Sequence, residues 1–339
     1  MPDQLRYIDV HSHIISENWF EGIKKDFPKI TPIFDLKPSG LLDILPATGA
    51  GKLAASLPDT VANPKKRLAD LEKRNIGVQV LACLVNLMFY DLPAELSLRM
   101  NAIQNDGIAE LVHDHPDKFA GVCSVPLCDV QLAIGELERS VKKLGMKGVQ
   151  IGSNVNGKDL DDETLFPFYK IVEELGVPII VHPSNVASAN RLNKYFLHNL
   201  IGNPLDSTIA ASRLLFTGVF QRFANLDFIF LHGGGYLPYQ LGRLEQGYQV
   251  IKETRANITR PPSDYLQKLY FDTILHYLPA LEFMVKTHGA SRVVLGTDYP
   301  FPMGDLDPVH TLNDLKIGGQ EKQLIAFENA TRLFKLKLS

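Results

Sequence analysis

Eight short runs of apolar or β-branched residues recur along the chain, and most are followed by a segment with the length and amphipathic pattern of a helix. The predicted strands are 7–11, 78–84, 120–125, 148–152, 178–182, 227–232, 269–274 and 292–297. The predicted helices are 64–75, 94–115, 129–144, 162–175, 205–223, 238–254, 278–288 and 308–316, with a last helix near 320–334. Strands that alternate with helices pair in parallel through right-handed crossovers, and eight such units close into a ring. The pattern therefore predicts an α/β fold, a (β/α)8 TIM barrel.

The length of the chain is compatible with one domain of this kind. At 339 residues, 45% of them hydrophobic, the chain can bury a single large core, and no linker divides it. We predict one barrel domain over residues 1–339.

One long segment, residues 16–63, breaks the alternation. It carries five prolines together with Gly49 and Gly51. In a barrel, the connection after the first strand lies at the catalytic end, so we expect this insertion to form a lid or a wall of the pocket.

Composition excludes several classes of partner. The net charge is −3 with Lys and Arg spread along the chain, which argues against nucleic acid, and the overall composition is not that of a membrane protein. The three cysteines, Cys83, Cys123 and Cys128, are too few and odd in number for a disulfide framework and indicate a reducing compartment. The N-terminus shows no signal peptide, so we predict a cytoplasmic protein.

Four of the apolar runs end in residues that bind metals. His11 and His13 close the first run, His182 the fifth, His232 the sixth and Asp298 the eighth. Residues two apart on a strand share a face, so His11 and His13 can hold one ion. Because the carboxyl ends of barrel strands meet at one end, the five side chains are expected to converge there.

The mixture of imidazole and carboxylate ligands suits zinc with one position left open for catalysis. We assign His11, His13, His182 and Asp298 to one Zn²⁺ per subunit, with a water completing the shell. His232 is interpreted as the acid/base beside that water, because imidazole titrates near neutral pH.

An alternative places His232 on a second metal. Two-metal barrels of this type need a bridging carboxylate, typically a modified lysine at the end of strand four, and residues 148–152 contain neither Lys nor Glu. A mononuclear site is therefore preferred. The three glycines at 233–235 have two interpretations: amide donors to an anionic oxygen, or a flexible strand-to-helix turn.

The motifs resemble those of the amidohydrolase superfamily, in the branch of 2-amino-3-carboxymuconate-6-semialdehyde decarboxylase and related metal-dependent decarboxylases. The matching segments are 11–13, 148–152, 159–162, 181–183, 232–235, 241–243, 260–263 and 295–302. The resemblance implies the zinc and base assignments given above. It also implies a homodimer in which Arg243 crosses the interface to bind a substrate carboxylate, which a guanidinium does bidentately.

Two departures from that branch concern the substrate. The aminocarboxymuconate enzyme has a second carboxylate-binding arginine after strand one, whereas residues 46–63 contain no arginine and offer only Lys52. It also has Trp-Asp where this chain has Ser184 and Asn185. We therefore expect a related acid as substrate, with Arg243, Lys52 and Phe301 as its candidate binding residues.

The resemblance implies nonoxidative decarboxylation of a small unsaturated or aromatic carboxylic acid. In this hypothesis the metal stabilises the carbanion-like transition state, His232 handles the proton of the water, and Asp298 passes a proton to the carbon that loses carbon dioxide. A rival is metal-dependent hydrolysis of a lactone or amide. A second rival, from another class, is a noncatalytic metal-binding barrel, although binding alone does not require His232.

Overall fold

A computed structural model describes residues 7–16, 19, 22, 25, 34–36, 41–44 and 57–337. Eight parallel strands form its centre: β1 (Tyr7–Ile14), β2 (Ile76–Cys83), β3 (Phe119–Gly121 with Cys123–Ser124), β4 (Val149–Gly152), β5 (Ile179–His182), β6 (Phe228–Phe230), β7 (Leu269–Asp272) and β8 (Val293–Val294). Each strand pairs with the next in chain order.

The last strand returns to the first. Val10 N donates to Leu295 O at 2.9 Å, and an isolated parallel bridge joins Ser12 to Tyr299. These contacts lie just beyond β8 and complete the ring, so the predicted TIM barrel is confirmed.

A helix follows each strand: α1 (Pro64–Lys73), α2 (Ala94–Asp114), α3 (Val130–Lys142), α4 (Phe166–Leu175), α5 (Asn203–Phe216), α6 (Leu237–Val250), α7 (Leu278–His288) and α8 (Pro308–Asp314). Shorter helices are Val219–Arg222, Pro262–Leu266, Gly319–Gln323 and Asn329–Leu333, with π-helical turns at His198–Gly202 and Leu324–Glu328. In the described part of the chain, no helix combines the length and apolar character needed to cross a membrane.

Two predicted helices are divided in the structure, and the ends of most of the others shift by a few residues. The helix predicted over 205–223 is divided, because Gly218 adopts φ +79° between α5 and Val219–Arg222. A left-handed residue ends one helix and permits the next to start in a new direction. The helix predicted near 320–334 consists of Gly319–Gln323, Leu324–Glu328 and Asn329–Leu333.

The core has two layers. Side chains from strands across the ring, such as Ile8, Ile180, Ile229 and Val294, pack together inside it, and Phe334 from the C-terminal segment joins them. A larger layer lies between the strands and the surrounding helices. Both layers bury apolar surface, which supplies the main driving force for folding.

An irregularity in β1 affects the site. Three steps along β1, from Asp9 to Ser12, match two steps along β2, from Gln79 to Leu81. The extra residue interrupts the alternation of faces, as in a β-bulge. Asp9 therefore hydrogen-bonds Gln79 in β2, while His11 faces the other histidines of the site.

The insertion predicted over 16–63 is described only in part. Phe34–Leu36, Leu41–Ile44 and Leu57–Pro58 pair as a three-stranded antiparallel sheet. Most of the segment, including Lys52, lies outside the described residues, and its assignment as a lid remains a prediction.

Candidate metal centre

Four of the five predicted site residues converge at the carboxyl end of the barrel. His11 and His13 project from β1, His182 is the last residue of β5, and Asp298 follows β8. Their ligand atoms all lie within 4.8 Å of one another, and all four side chains are buried. The Nε2 atoms of His11 and His13 are each 3.2 Å from Asp298 Oδ1.

The converging atoms fit a divalent cation. Among the described residues, His11 Nε2, His13 Nε2 and Asp298 Oδ1 are buried and have no hydrogen-bond partner. Buried polar atoms are normally satisfied, so three unsatisfied atoms that face one point indicate a ligand there. Imidazole nitrogen with carboxylate oxygen suits zinc and other first-row divalent ions.

The outer nitrogen of each ligand histidine is held by the protein. His11 Nδ1 lies 2.6 Å from Asp272 Oδ2, His13 Nδ1 lies 3.0 Å from Cys83 O, and His182 Nδ1 lies 2.9 Å from Pro183 O. A carbonyl or carboxylate oxygen accepts, so each Nδ1 carries the proton that it donates. The lone pair on each Nε2 is then available to a metal.

The electrostatics of the site favour a cation. Burial lowers the pKa of His13, and burial together with the neighbouring histidines lowers that of His182 well below its usual value. Burial also acts against protonation of His11, but Asp298 and Asp272 outweigh it and raise the pKa of His11 to about 10. Burial would raise the pKa of Asp298, yet His11 holds it well below its ordinary range. The two ionised carboxylates draw positive charge to this point, and a metal ion would replace the second proton that the raised pKa implies for His11.

The structure places His232 beside the four ligands. Its Nε2 lies 3.7 Å from Asp298 Oδ2, and its ring centroid is 5.0 Å from that of His11. Its side chain is 14% exposed, whereas His11 and His13 are 1% and 0% exposed. A histidine that touches both the centre and an open space is placed to exchange protons with a bound molecule.

The strand predicted over 227–232 ends earlier, at Phe230, and His232 begins a tight turn with φ +56°. The next three residues are glycines with positive φ, and Gly235 has φ +66° and ψ −124°. A Cβ on Gly235 would lie 2.0 Å from Pro204 O. Gly235 is thus required by a close approach of backbone to backbone, whereas a Cβ on Gly233 or Gly234 would meet the side chain of Leu275 or Phe271.

These glycine amides are not free to bind an anion. Gly233 N donates to Asp272 Oδ1 at 2.7 Å, Gly234 N to Leu231 O at 3.2 Å, and Gly235 N to His232 O at 3.0 Å. None of the three amides is therefore left for an anionic oxygen of a bound molecule, and the anionic oxygen that Gly233 N does contact belongs to Asp272. Their role is to shape the turn that carries His232.

Asp272 is a site residue that was not predicted from the sequence. This fully buried residue is the last of β7, and its carboxylate hydrogen-bonds His11 Nδ1 and Gly233 N. Its position in the sequence could have identified it, because the other site residues also lie at or just beyond the carboxyl end of a strand.

A cavity of about 360 Å³ opens beside His232 and Asp298. Its wall is mainly apolar and includes Leu200, Leu275, Phe283 and Met303. Among the described residues that line it, none is Arg or Lys. The space is suited to a small, largely apolar molecule with one polar end at the centre.

The three predicted substrate residues have different outcomes. Phe301 contacts the site, with its ring centroid 5.2 Å from that of His13. Arg243 is exposed on α6 and does not line the cavity of its own chain. Lys52 is outside the described residues.

Comparison with known proteins gives matches over nearly the whole chain. The family model described as Amidohydrolase matches residues 8–336. The 2-amino-3-carboxymuconate-6-semialdehyde decarboxylase of Dictyostelium discoideum is 34% identical over 316 residues, which cover 91% of this chain and 86% of the relative.

Solved structures with the same fold include two decarboxylases. The 5-carboxyvanillate decarboxylase of Sphingomonas paucimobilis has a TM-score of 0.84 at 21% identity and covers 98% of this chain and 100% of its own. The dihydroxybenzoic acid decarboxylase of Polaromonas sp. JS666, with bound manganese and the inhibitor 2-nitroresorcinol, has a TM-score of 0.79 at 23% identity and covers 98% of each chain.

Proposed function

The chain belongs to the amidohydrolase family, and from this premise we propose that it is a metal-dependent, nonoxidative decarboxylase of a small aromatic or unsaturated carboxylic acid. The observation that carries the proposal is the four-residue centre with His232 beside it, opening into an apolar cavity. Its relatives include decarboxylases of a muconate and of aromatic acids.

The lining of the cavity supports the proposal that the substrate is an acid with a single carboxylate group. The described wall that one chain supplies is mainly apolar, which favours a ring or an unsaturated chain beside the carboxylate that the partner subunit's Arg243 would bind. Phe301 would pack against the part of the substrate nearest His13. Lys52 is retained as a candidate for a further polar contact.

We assign one divalent cation per subunit to His11, His13, His182 and Asp298, and we retain Zn²⁺ as the proposed ion. The ligand set also suits Mn²⁺, the ion named for the dihydroxybenzoic acid decarboxylase. When bound, the cation would supply Lewis-acid stabilisation for negative charge that develops on the substrate.

The protein's own residues would move the protons. In decarboxylation the bond between the carboxyl carbon and its neighbour breaks, carbon dioxide leaves, and the neighbouring carbon takes the electron pair and then a proton. Asp298 Oδ1 faces the histidine ligands and Oδ2 faces His232, so the two oxygens have separate surroundings. Because Asp298 is ionised in the resting site, we assign to His232 the supply of a proton to Asp298 and to Asp298 its transfer to the carbon.

The proposal extends to the assembly. Each chain forms a single barrel domain over residues 1–339, with the 16–63 segment as a lid. Two chains form a homodimer in which Arg243 of one subunit reaches the site of the other. Arg243 is exposed and does not line the cavity of its own chain, which supports this arrangement. All three cysteines are free thiols, which supports a cytoplasmic location.

The assembly can be tested by mixing inactive variants. Arg243→Ala and His232→Ala subunits would together restore one complete site in each heterodimer. Random pairing predicts recovery of about one quarter of the wild-type activity per site. No recovery in heterodimers verified by tagged purification would contradict the shared site.

The activity is tested with the zinc-loaded and manganese-loaded protein. Each form is incubated with hydroxyaromatic and unsaturated acids, and with lactones, while carbon dioxide and proton release are recorded. We expect carbon dioxide from at least one acid, abolished by chelation and restored by metal. His310→Asn replaces a surface histidine and serves as the control for effects of purification and metal loading.

Two outcomes would reject the proposal. Proton release from a lactone without carbon dioxide from any acid would identify a hydrolase. A metal-loaded protein that turns over neither class, and that only unfolds when the metal is removed, would favour the noncatalytic barrel.

A further inference from the structure

We propose that Asp272 is a positioning residue that sets the tautomer of the metal ligand His11 and, through the same carboxylate, the place of the His232 turn. The inference rests on the proposed metal site and does not depend on which reaction that site catalyses. One buried side chain would thus hold His11 and the His232 turn, two parts of the centre that are far apart in sequence.

The contacts of Asp272 divide between its two oxygens. Oδ2 lies 2.6 Å from His11 Nδ1. Oδ1 accepts from Gly233 N at 2.7 Å and from Ile274 N at 3.2 Å. The carboxylate is completely buried, so water does not compete for either oxygen.

His11 differs from the other two ligand histidines in how its tautomer is held. His13 and His182 donate to main-chain oxygens, which no substitution removes. Among the described residues, only His11 is held at Nδ1 by a side chain. Which ring nitrogen of His11 carries the proton therefore depends on the identity of residue 272.

The second reason for a carboxylate is charge. Asp272 and Asp298 together carry two negative charges, and both approach His11. A divalent cation at the centre would be neutralised by this pair without any further anion from the protein.

The backbone leaves room for this pair only because of Gly296. A Cβ at position 296 would lie 2.9 Å from the Cβ atoms of both Asp272 and His11. That distance is shorter than real Cβ contacts, so Gly296 permits the two side chains to meet. A methyl group there would separate the pair and leave the chemistry of both residues unchanged.

An amide at position 272 cannot serve both functions. If Asn keeps its oxygen on the Gly233 and Ile274 amides, its NH₂ group points at His11 Nδ1 and can only donate. His11 would then carry its proton on Nε2, the atom that faces the centre. If the amide is flipped, the NH₂ group opposes two backbone N–H groups and the His232 turn loses its acceptor.

The test is metal affinity measured without substrate. Zn²⁺ and Co²⁺ are titrated into metal-free Asp272→Asn in competition with a chromogenic chelator, and the visible absorption of the Co²⁺ form is recorded. We expect affinity to fall by about 10- to 100-fold. We also expect the Co²⁺ spectrum to change, because one nitrogen ligand is lost or weakened.

The matched control is Asp206→Asn. Asp206 is another buried carboxylate, on α5, and it accepts from Ser153, Asn154 and the Ala187 amide without touching a histidine ring. We expect this variant to be less stable but to keep the wild-type Co²⁺ spectrum and affinity. Equal loss of affinity in both variants would show a general structural effect and overturn the proposal.

Gly296→Ala is the second test and remains informative if Asp272→Asn does not fold. We expect it to weaken Zn²⁺ and Co²⁺ binding in the same way. Wild-type affinity and spectrum in either folded variant would overturn the proposal. A failure to release carbon dioxide would bear on the proposed reaction and not on these binding measurements.

Discussion

His13 Nδ1 lies 3.0 Å from the main-chain oxygen of Cys83, at the end of the neighbouring strand. The same oxygen accepts from Gln150 Nε2 at 2.9 Å. Gln150 lies in β4, the strand that carries the bridging group in a two-metal barrel. Here its side chain donates to the same Cys83 oxygen that accepts from His13. The backbone of β2 therefore fixes the orientation of a candidate ligand.

This relationship predicts that the side chain of Cys83 can be removed without loss of the metal. Burial raises the pKa of its thiol to about 12, so the sulfur is neutral at working pH. Cys83→Ala should keep wild-type Zn²⁺ affinity in chelator competition and lose about 1–2 kcal/mol of unfolding free energy in urea. A clear loss of affinity would mean that the sulfur, and not only the carbonyl, supports the site.

His232→Asn should separate catalysis from metal binding. His232 lies outside the four-residue group, so the metal content should stay at one ion per subunit. Loss of its proton transfer should lower kcat by about 10²- to 10⁴-fold. Metal content is measured by elemental analysis and kcat by carbon dioxide release. Wild-type kcat in the fully loaded variant would contradict the assigned role, whereas loss of the metal would place His232 among the ligands.

Gly235→Ala should strain the turn that carries His232. The residue has φ +66°, and its new Cβ would meet Pro204 O. We expect a loss of at least about 2 kcal/mol in unfolding free energy. Gly135→Ala is the matched control, because Gly135 is exposed within α3 and a Cβ there meets nothing within 4 Å. It should stabilise the protein by roughly 0.5–1 kcal/mol. Similar effects at both positions would refute the argument from backbone geometry.

His288 should make the protein sensitive to acid. Burial against the ring of Phe271 lowers the pKa of His288 to about 4. Its contribution to stability is complete above the unfolded pKa of about 6.5 and is lost as the pH falls towards 4, because only the unfolded state readily takes the proton. Between pH 7 and pH 5 the loss is about 2 kcal/mol.

The substitution His288→Leu removes this contribution. Urea unfolding of the wild type and the variant at both pH values isolates it, because effects of all other groups are common to the two proteins. The variant should lose less stability than the wild type on going to pH 5. Parallel losses in the two proteins would show that His288 is not the sensitive group.

The order of the elements and the candidate ligands were predictable from local patterns. Alternating apolar runs and amphipathic segments specify β/α repeats, and in parallel strands the residues at the carboxyl ends necessarily meet. His11, His13, His182, His232 and Asp298 were therefore identified without knowledge of their distances. The predicted end of the helix over 162–175 is confirmed, because Gly176 adopts φ +60° directly after α4. The interruption at Gly218 was missed, since one glycine within an amphipathic segment does not reveal its φ.

Strand periodicity and chain order are local properties, so they were enough to predict which residues arrive at the catalytic end of the barrel. How those residues are held depends on contacts between distant parts of the folded chain. The bond between His11 and Asp272 joins positions 261 residues apart, and the extra residue in β1 changes which face His11 occupies. The amides of 233–235 were also assigned partners only by folding. These features depend on a local irregularity of strand register and on atomic distances between distant strands, which the hydrophobic pattern of a single segment does not specify.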